Sequence, residues 1–222
     1  MNREQWSAAI QSEVGFWTRW LESGGLSWQE EFKYRADPHA EIRGLARTWL
    51  EGFAGAPKVL DVGAGPVTVL GKFLDGRAID LTAVDALAEI YDRLPFPPGL
   101  PVLRTQQCES ERLREKFDAG TFDLTYAQNT LDHSYDPAAA ILQMIEVTKT
   151  GGFIATAHAA NEALNENWQG FHQWNFYVEG RDLKIASRTQ TFSVAELIMG
   201  RAEVVELSPD GEAWVNCVMR RI

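Results

Sequence analysis

VLDVGAGPVTVL, residues 59–70, decides how this chain is read. A short apolar run carries one acid, Asp61, passes two glycines two apart, turns at Pro66 and becomes apolar again. A brief apolar run bounded by glycine reads as a buried strand, and Val67–Leu74 is then expected to be a helix. A strand–glycine–helix turn lets a ligand approach the backbone closely and meet a helix N-terminus. Which ligand the turn serves, and whether Asp61 belongs to the answer, has to come from the rest of the chain.

The same rhythm continues downstream. LTAVD (81–85) reads as a second strand and Ala86–Arg93 as the helix after it. PFPPGLP (95–101) is a rigid loop leading into VLRTQ (102–106), and FDLTYAQN (122–129) is a further strand. Pro137 opens a helix whose buried face carries Ile141, Met144 and Ile145, and GGFIATAHA (151–159) is a glycine turn with a fifth strand. Alternating strands and helices with short connections predict a parallel sheet covered on both faces. The end departs from this: AEVVELS (202–208) and EAWVNCVMRRI (212–222) are joined only by Pro209-Asp210-Gly211. Parallel strands need a crossover of a dozen residues or more, so this pair must be antiparallel.

Upstream, Trp6, Ile10, Val14, Trp17 and Leu21 recur at helical spacing, which predicts an amphipathic helix over about residues 4–22. Asp37-Pro38 reads as an N-cap with proline at the first helical position. Ile42, Leu45, Trp49 and Phe53 would be the stripe of that second helix. At 222 residues the chain reads as one domain. With only two cysteines and no signal peptide it fits a reducing cytoplasm, and no apolar run approaches the ~18 residues of a membrane span. A formal charge of −10 argues against a nucleic-acid partner, which would want clustered Lys and Arg.

Two ligands compete for the first turn. A dinucleotide site wants G-x-G-x-x-G, and Thr68 stands at the third glycine. An acid at Asp61 suits a ligand with a positive charge instead, although the acid could simply cap the turn. Five stretches in order decide between them: VLDVGAGP, LTAVDA, TQQCES, FDLTYAQNTLDHSYDP and KTGGFIAT, followed by the terminal hairpin. Together, over roughly residues 57–222, they resemble the class I S-adenosylmethionine-dependent methyltransferases. That resemblance implies a Rossmann-like α/β fold: a seven-stranded, mostly parallel sheet with an antiparallel last strand and helices on both faces. Residues 1–56 would form an N-terminal helical lid and 57–222 the cofactor-binding core.

The resemblance also assigns roles. Asp61, Gly63, Ala64 and Gly65 would hold the methionine end of S-adenosylmethionine. Asp85, with Ala86 beside it, would accept the ribose hydroxyls; Cys108 and Glu109 would meet the adenine, and Asn129 would line the site after strand 4. Val67 and Cys108 depart from the family's usual glycine and aspartate.

Ligands of doubly wound sheets gather beyond the C-terminal strand ends, so the chemistry is sought after strands 4 and 5. Methyl transfer to oxygen needs an in-line nucleophile and often a base, and a histidine near neutral pKa can be that base. His133 is the candidate base, the plain alternative being a structural histidine. His172 is a candidate acceptor contact, and His158 reads more as strand-end packing. Asp132, His133, His158 and His172 could converge, but no compact motif such as H-E-x-x-H is present and no metal is assigned. Trp168 and Trp174 lack a helical stripe and are candidate walls of an acceptor pocket, with Asn161 a hydrogen-bonding candidate beside them. Flat aromatic faces suit sugar rings, so a sugar or glycan hydroxyl, or another small polar acceptor, is the expected substrate. A nicotinamide-dependent oxidoreductase and a non-catalytic S-adenosylmethionine-binding protein are the rival readings.

Overall fold

The computed structural model describes residues 3–53 and 55–222; Met1, Asn2 and Ala54, part of the 1–56 segment, lie outside the described residues. Helix α1 (Arg3–Ser23) carries the aromatic stripe read from the sequence, and α2 (Gln29–Ala36) and α3 (Gly44–Leu50) follow. Strands β1 (Lys58–Val62) and β4 (Asp80–Asp85) enclose a small hairpin of β2 (Phe73–Leu74) and β3 (Arg77–Ala78). After α4 (Ala88–Tyr91) come β5 (Gln106–Gln107), β6 (Phe122–Gln128), α5 (Pro137–Val147) and β7 (Thr148–Ala159). Next come α6 (Glu162–Asn165), β8 (Asn175–Glu179), β9 (Asp182–Ala186), β10 (Thr191–Ser193) and α7 (Val194–Leu197). Strands β11 (Ala202–Leu207) and β12 (Trp214–Arg221) close the chain.

Seven strands make the main sheet, in the order β11-β12-β7-β6-β1-β4-β5. The pairs β1–β4, β1–β6, β4–β5 and β6–β7 are parallel, whereas β12 runs antiparallel to both β7 and β11. Alternation along β1 sends Leu60 and Val62 into one core, with Ile141, Met144 and Ile145 of α5. Val59 faces the opposite core, against Ile42, Ala46 and Leu50. Helix α5 starts where expected: the Asp136 side chain accepts the Ala139 N–H and Pro137 takes the first turn.

Three expectations are corrected. Residues 67–74 form no helix. Val67, Thr68 and Val69 are β-branched. Gly71 lies so close to Glu41 and Ile42 that an added Cβ would meet their backbone at 2.4 Å. The run then enters the hairpin through Asp75 and Gly76, both at positive φ. The glycine turn therefore has no helix N-terminus behind it. Asp37 closes α2 as its C-cap rather than opening α3; its carboxylate accepts the His39 N–H. No strand was expected between residues 159 and 202, whereas residues 175–193 build a second sheet in the order β10-β9-β8. Phe176, Val178, Leu183 and Ile185 of that sheet belong to the α5-side core.

Candidate functional site

Beyond the C-terminal ends of β1, β4 and β6 lies a cavity of about 1180 Å³. Its floor is the glycine turn. Gly63 and Gly65 have φ of +69° and +64°, a region that costs other residues energy. A Cβ on Gly63 would sit 1.8 Å from Thr130 Oγ1, and one on Gly65 would sit 2.6 Å from the Trp17 ring. Trp17, on α1, thus lies directly over the turn.

Two acids meet this floor. Asp61 is buried and accepts the Thr68 hydroxyl at 2.5 Å; burial pushes its carboxyl up to about 6, against the pull of Thr68 and Arg35. Asp85 accepts the Gly65 N–H at 3.0 Å and the Leu87 N–H at 2.8 Å, and burial pushes it up to about 6 as well. A carboxylate whose ionised form is held at a disadvantage favours a ligand that brings positive charge or hydroxyl donors. The chemistry of the floor therefore fits a cationic, ribose-bearing ligand. Of the nine residues expected there, Asp61, Gly63, Ala64, Gly65, Asp85, Ala86, Cys108 and Asn129 line the cavity. Glu109 is not part of the lining: it accepts the Tyr135 hydroxyl at 3.0 Å, and its neighbours Ser110 and Glu111 line the wall instead. Cys108 is fixed by its own N–H, which donates to the Asp85 carbonyl. Asn129 sits at φ +46°, its side-chain oxygen accepting the Ala159 N–H.

At the other end the histidines converge on Asp132, which is 2% exposed. His172 Nδ1 lies 2.9 Å from Asp132 Oδ2. His133 Nε2 lies 3.4 Å from the same oxygen and 3.3 Å from His172 Nδ1. Burial alone would raise Asp132, but the surrounding imidazoles outweigh it and hold the acid at about 2. Burial likewise works against protonated His172, and Asp132 reverses the balance, leaving its pKa raised. Both histidines line the cavity. His158 is buried and stacked on Phe176 with centroids 4.1 Å apart, and burial pushes it down to about 4.

Helix α1 touches both ends. Trp17 donates its indole N–H to Glu13, Glu13 faces His133 Nδ1 at 3.9 Å, and Trp6 donates to the His133 carbonyl. Neither Glu13 nor Trp6 was singled out for the site from the sequence, although both share the helical stripe of Trp17. The expected tryptophan wall is corrected. Trp174 is a core residue, 1% exposed, its indole N–H given to the Ser134 carbonyl. Trp168 lies under Arg188, and Asn161 starts α6 at φ +57°; neither lines the cavity. Aromatic lining comes instead from Trp6, Phe171 and Trp214, among others.

Residues 60–156 match a family described as a methyltransferase domain. A ubiquinone biosynthesis O-methyltransferase of Pseudomonas aeruginosa is 25% identical over 192 residues, covering 77% of this chain and 79% of that protein. Among solved structures, the Burkholderia thailandensis 1,6-didemethyltoxoflavin-N1-methyltransferase, with S-adenosylhomocysteine bound, superposes with a TM-score of 0.54 at 16% identity. That match covers 100% of this chain and 91% of the other. The methyltransferase CalH, in complex with S-adenosylhomocysteine, gives 0.57 at 15% identity over 87% of this chain and 59% of its own. Both neighbours are complexes with S-adenosylhomocysteine, and the match to a methyltransferase domain does not favour the nicotinamide reading. No described helix is long and apolar enough to cross a membrane.

Proposed function

We propose that the chain is a class I S-adenosylmethionine-dependent methyltransferase that methylates a hydroxyl oxygen of a small polar acceptor, a sugar or glycan hydroxyl being the finer reading. One observation carries this: His133 and His172 stand on the wall of the cavity that holds Asp85 and the glycine turn, with the buried Asp132 carboxylate shared behind them. The name of the Pseudomonas relative, an O-methyltransferase, supports oxygen as the methylated atom.

In this reading Asp61, Gly63, Ala64 and Gly65 hold the methionine end of the cofactor, and Asp85 with Ala86 the ribose. Cys108 meets the adenine edge, Glu109 acts from behind through Tyr135, and Asn129 closes the site. When bound, S-adenosylmethionine supplies a methyl carbon made electrophilic by its sulfonium, the bonding pair staying on sulfur. The chain's own part is to orient the acceptor and receive its proton. Asp132 accepts from His172 Nδ1 and so fixes that ring, the carboxylate–imidazole logic of a positioned base. His133, stacked on Phe171 at 5.5 Å, is the second proton acceptor of the cluster. Of the segment 1–56 first given to a lid, helix α1 covers the site, whereas Ile42, Ala46 and Leu50 pack into the core with 57–222. Trp6, Phe171 and Trp214 offer flat faces for a sugar ring, the part first given to Trp168, Trp174 and Asn161.

The test is methyl transfer from labelled S-adenosylmethionine to nucleotide sugars, free glycans and simple phenols. Transfer to hydroxyl compounds is expected, falling about 100-fold or more in His133→Ala or His172→Ala with cofactor affinity kept. Transfer only to nitrogen or sulfur, or full activity in both variants, would remove the proposal. Cofactor binding with no turnover on any acceptor would leave the non-catalytic reading in its place.

A further inference from the structure

We infer that Asp132, His133 and His172 form a binding site for one first-row divalent cation of the zinc type at the acceptor end of the cavity. The three candidate ligand atoms are Asp132 Oδ2, His133 Nε2 and His172 Nδ1, separated by 2.9, 3.3 and 3.4 Å. Tetrahedral nitrogen and oxygen ligands at roughly 2.0–2.1 Å from a zinc ion stand about 3.3 Å apart. The triangle therefore matches three corners of such a shell and leaves the fourth for an outside ligand, the arrangement of catalytic rather than structural sites.

Proton counting points the same way. If His172 Nδ1 donates to Asp132, the His133 nitrogen beside it faces either that N–H with its own proton or the carboxylate with its lone pair. Two N–H groups can share Asp132 Oδ2, at 2.9 and 3.4 Å, only with their protons side by side across 3.3 Å, whereas a cation at the centre takes a lone pair from all three atoms. A second, independent sign lies behind them. Asp132 Oδ1 is buried with no hydrogen-bond partner among the described residues, and so are both nitrogens of His158, whose Nδ1 is 3.9 Å away. A buried acid with one oxygen unpartnered is costly unless strong positive charge sits against the other. The ligand set also has outer support. His133 Nδ1 faces Glu13 at 3.9 Å, the kind of carboxylate partner that orients metal-binding imidazoles. Two imidazoles and one carboxylate suit zinc, iron or cobalt over magnesium or calcium, which take all-oxygen shells.

The consequence rests on the hydroxyl-acceptor reading above. A divalent charge at this point lowers the pKa of a nearby hydroxyl, whose proton then passes to solvent, because the nitrogens of His133 and His172 hold the cation in place of the proton. Hydroxyl activation stays at the same cluster.

The test dialyses the full chain against chelator, then titrates it with Zn²⁺ by calorimetry and with Co²⁺ by visible absorption. One cation per chain is expected, with affinity about 100-fold weaker in His133→Ala and in the gentler His172→Gln. S-adenosylmethionine binding, read in the same samples, reports that each variant is folded. No stoichiometric binding by the wild type, or equal affinity and spectrum in variants that still bind cofactor, overturns the inference. Methyl transfer by the chelated chain separates the two proposals. Full activity without bound cation defeats the cation's part in activating the hydroxyl and leaves the imidazole base, while the titration alone decides the site. Stoichiometric cation binding with no hydroxyl methylation supports the metal and defeats the acceptor reading.

Discussion

Replacing Asp61 by asparagine should make the cofactor-free protein more stable and the cofactor complex weaker. Asp61 is buried, and its carboxyl is pushed from 3.8 up to about 6. One pKa unit corresponds to about 1.4 kcal/mol, so the ionised acid costs the native state about 3 kcal/mol relative to the unfolded chain. Asparagine removes that cost and keeps an oxygen for the Thr68 hydroxyl. Its new amide group needs an acceptor, and leaving it unpaired returns about 1–3 kcal/mol. The expected net gain is about 0–2 kcal/mol at neutral pH, a rise in melting temperature of up to roughly 8 °C for a chain of this size. The sign with pH is fixed. A raised carboxyl binds its proton more tightly in the native state, so wild-type stability falls as pH climbs from about 4 to about 6 and stays lowered above that. Asparagine does not titrate, so its advantage should be small near pH 4 and full above about pH 6.5. Urea unfolding of both proteins across this range measures it. The same variant should bind S-adenosylmethionine at least about tenfold more weakly, about 1.4 kcal/mol, because the carboxylate no longer answers the positive charge. A gap that does not vary with pH, or an unchanged cofactor affinity, would reduce Asp61 to a turn cap held by Thr68.

Asp85→Ala should weaken cofactor binding by at least about tenfold in calorimetry; unchanged affinity would take the ribose away from Asp85. Gly65→Ala places a Cβ 2.6 Å from the Trp17 ring at a φ of +64°. It should cost about 1–3 kcal/mol in thermal unfolding, part of it backbone strain that stays and part of it lid clash. In a Trp17→Ala background the clash component should vanish, so equal costs in the two backgrounds would mean that the lid does not press on the turn.

Most of the sheet was legible because its strands are short apolar runs ended by glycine, and Pro209-Asp210-Gly211 left the last pair no parallel option. The hairpin at 73–78 falls inside the expected helix Val67–Leu74 and beyond it, although the β-branched Val67, Thr68 and Val69 before Gly71 and an Asp75-Gly76 turn signal the opposite. The second sheet was also visible in principle. In NFYVE and DLKIA, Phe176, Val178, Leu183 and Ile185 alternate with the polar or less buried Asn175, Tyr177, Glu179, Asp182, Lys184 and Ala186 across a Gly180-Arg181 turn. That sheet is what buries Trp174. A tryptophan outside any helical stripe can sit in a strand-side core as readily as in a pocket wall, and its sequence neighbourhood does not distinguish the two.

For the site, the division follows how each residue is placed. Asp61 and Asp85 could be located because one stands next to the end of its strand and the other ends it, so local pattern fixes the backbone and the backbone fixes the carboxylate. His133 and His172 are 39 positions apart and meet only because the chain beyond β7 folds back over the short helical turn at Leu131–His133. No local periodicity encodes that meeting, so the convergence stayed open until the tertiary structure was in hand. Helix α1 falls between these cases. Its stripe was plain, and Trp6, Glu13 and Trp17 share one face because seven and four residues are close to whole helical turns. What the stripe could not say is that Trp17 lands on Gly65 while Glu13 and Trp6 reach His133. One helical face therefore covers the cofactor turn and braces the acceptor cluster together, so a displacement of α1 that opens one end loosens the other.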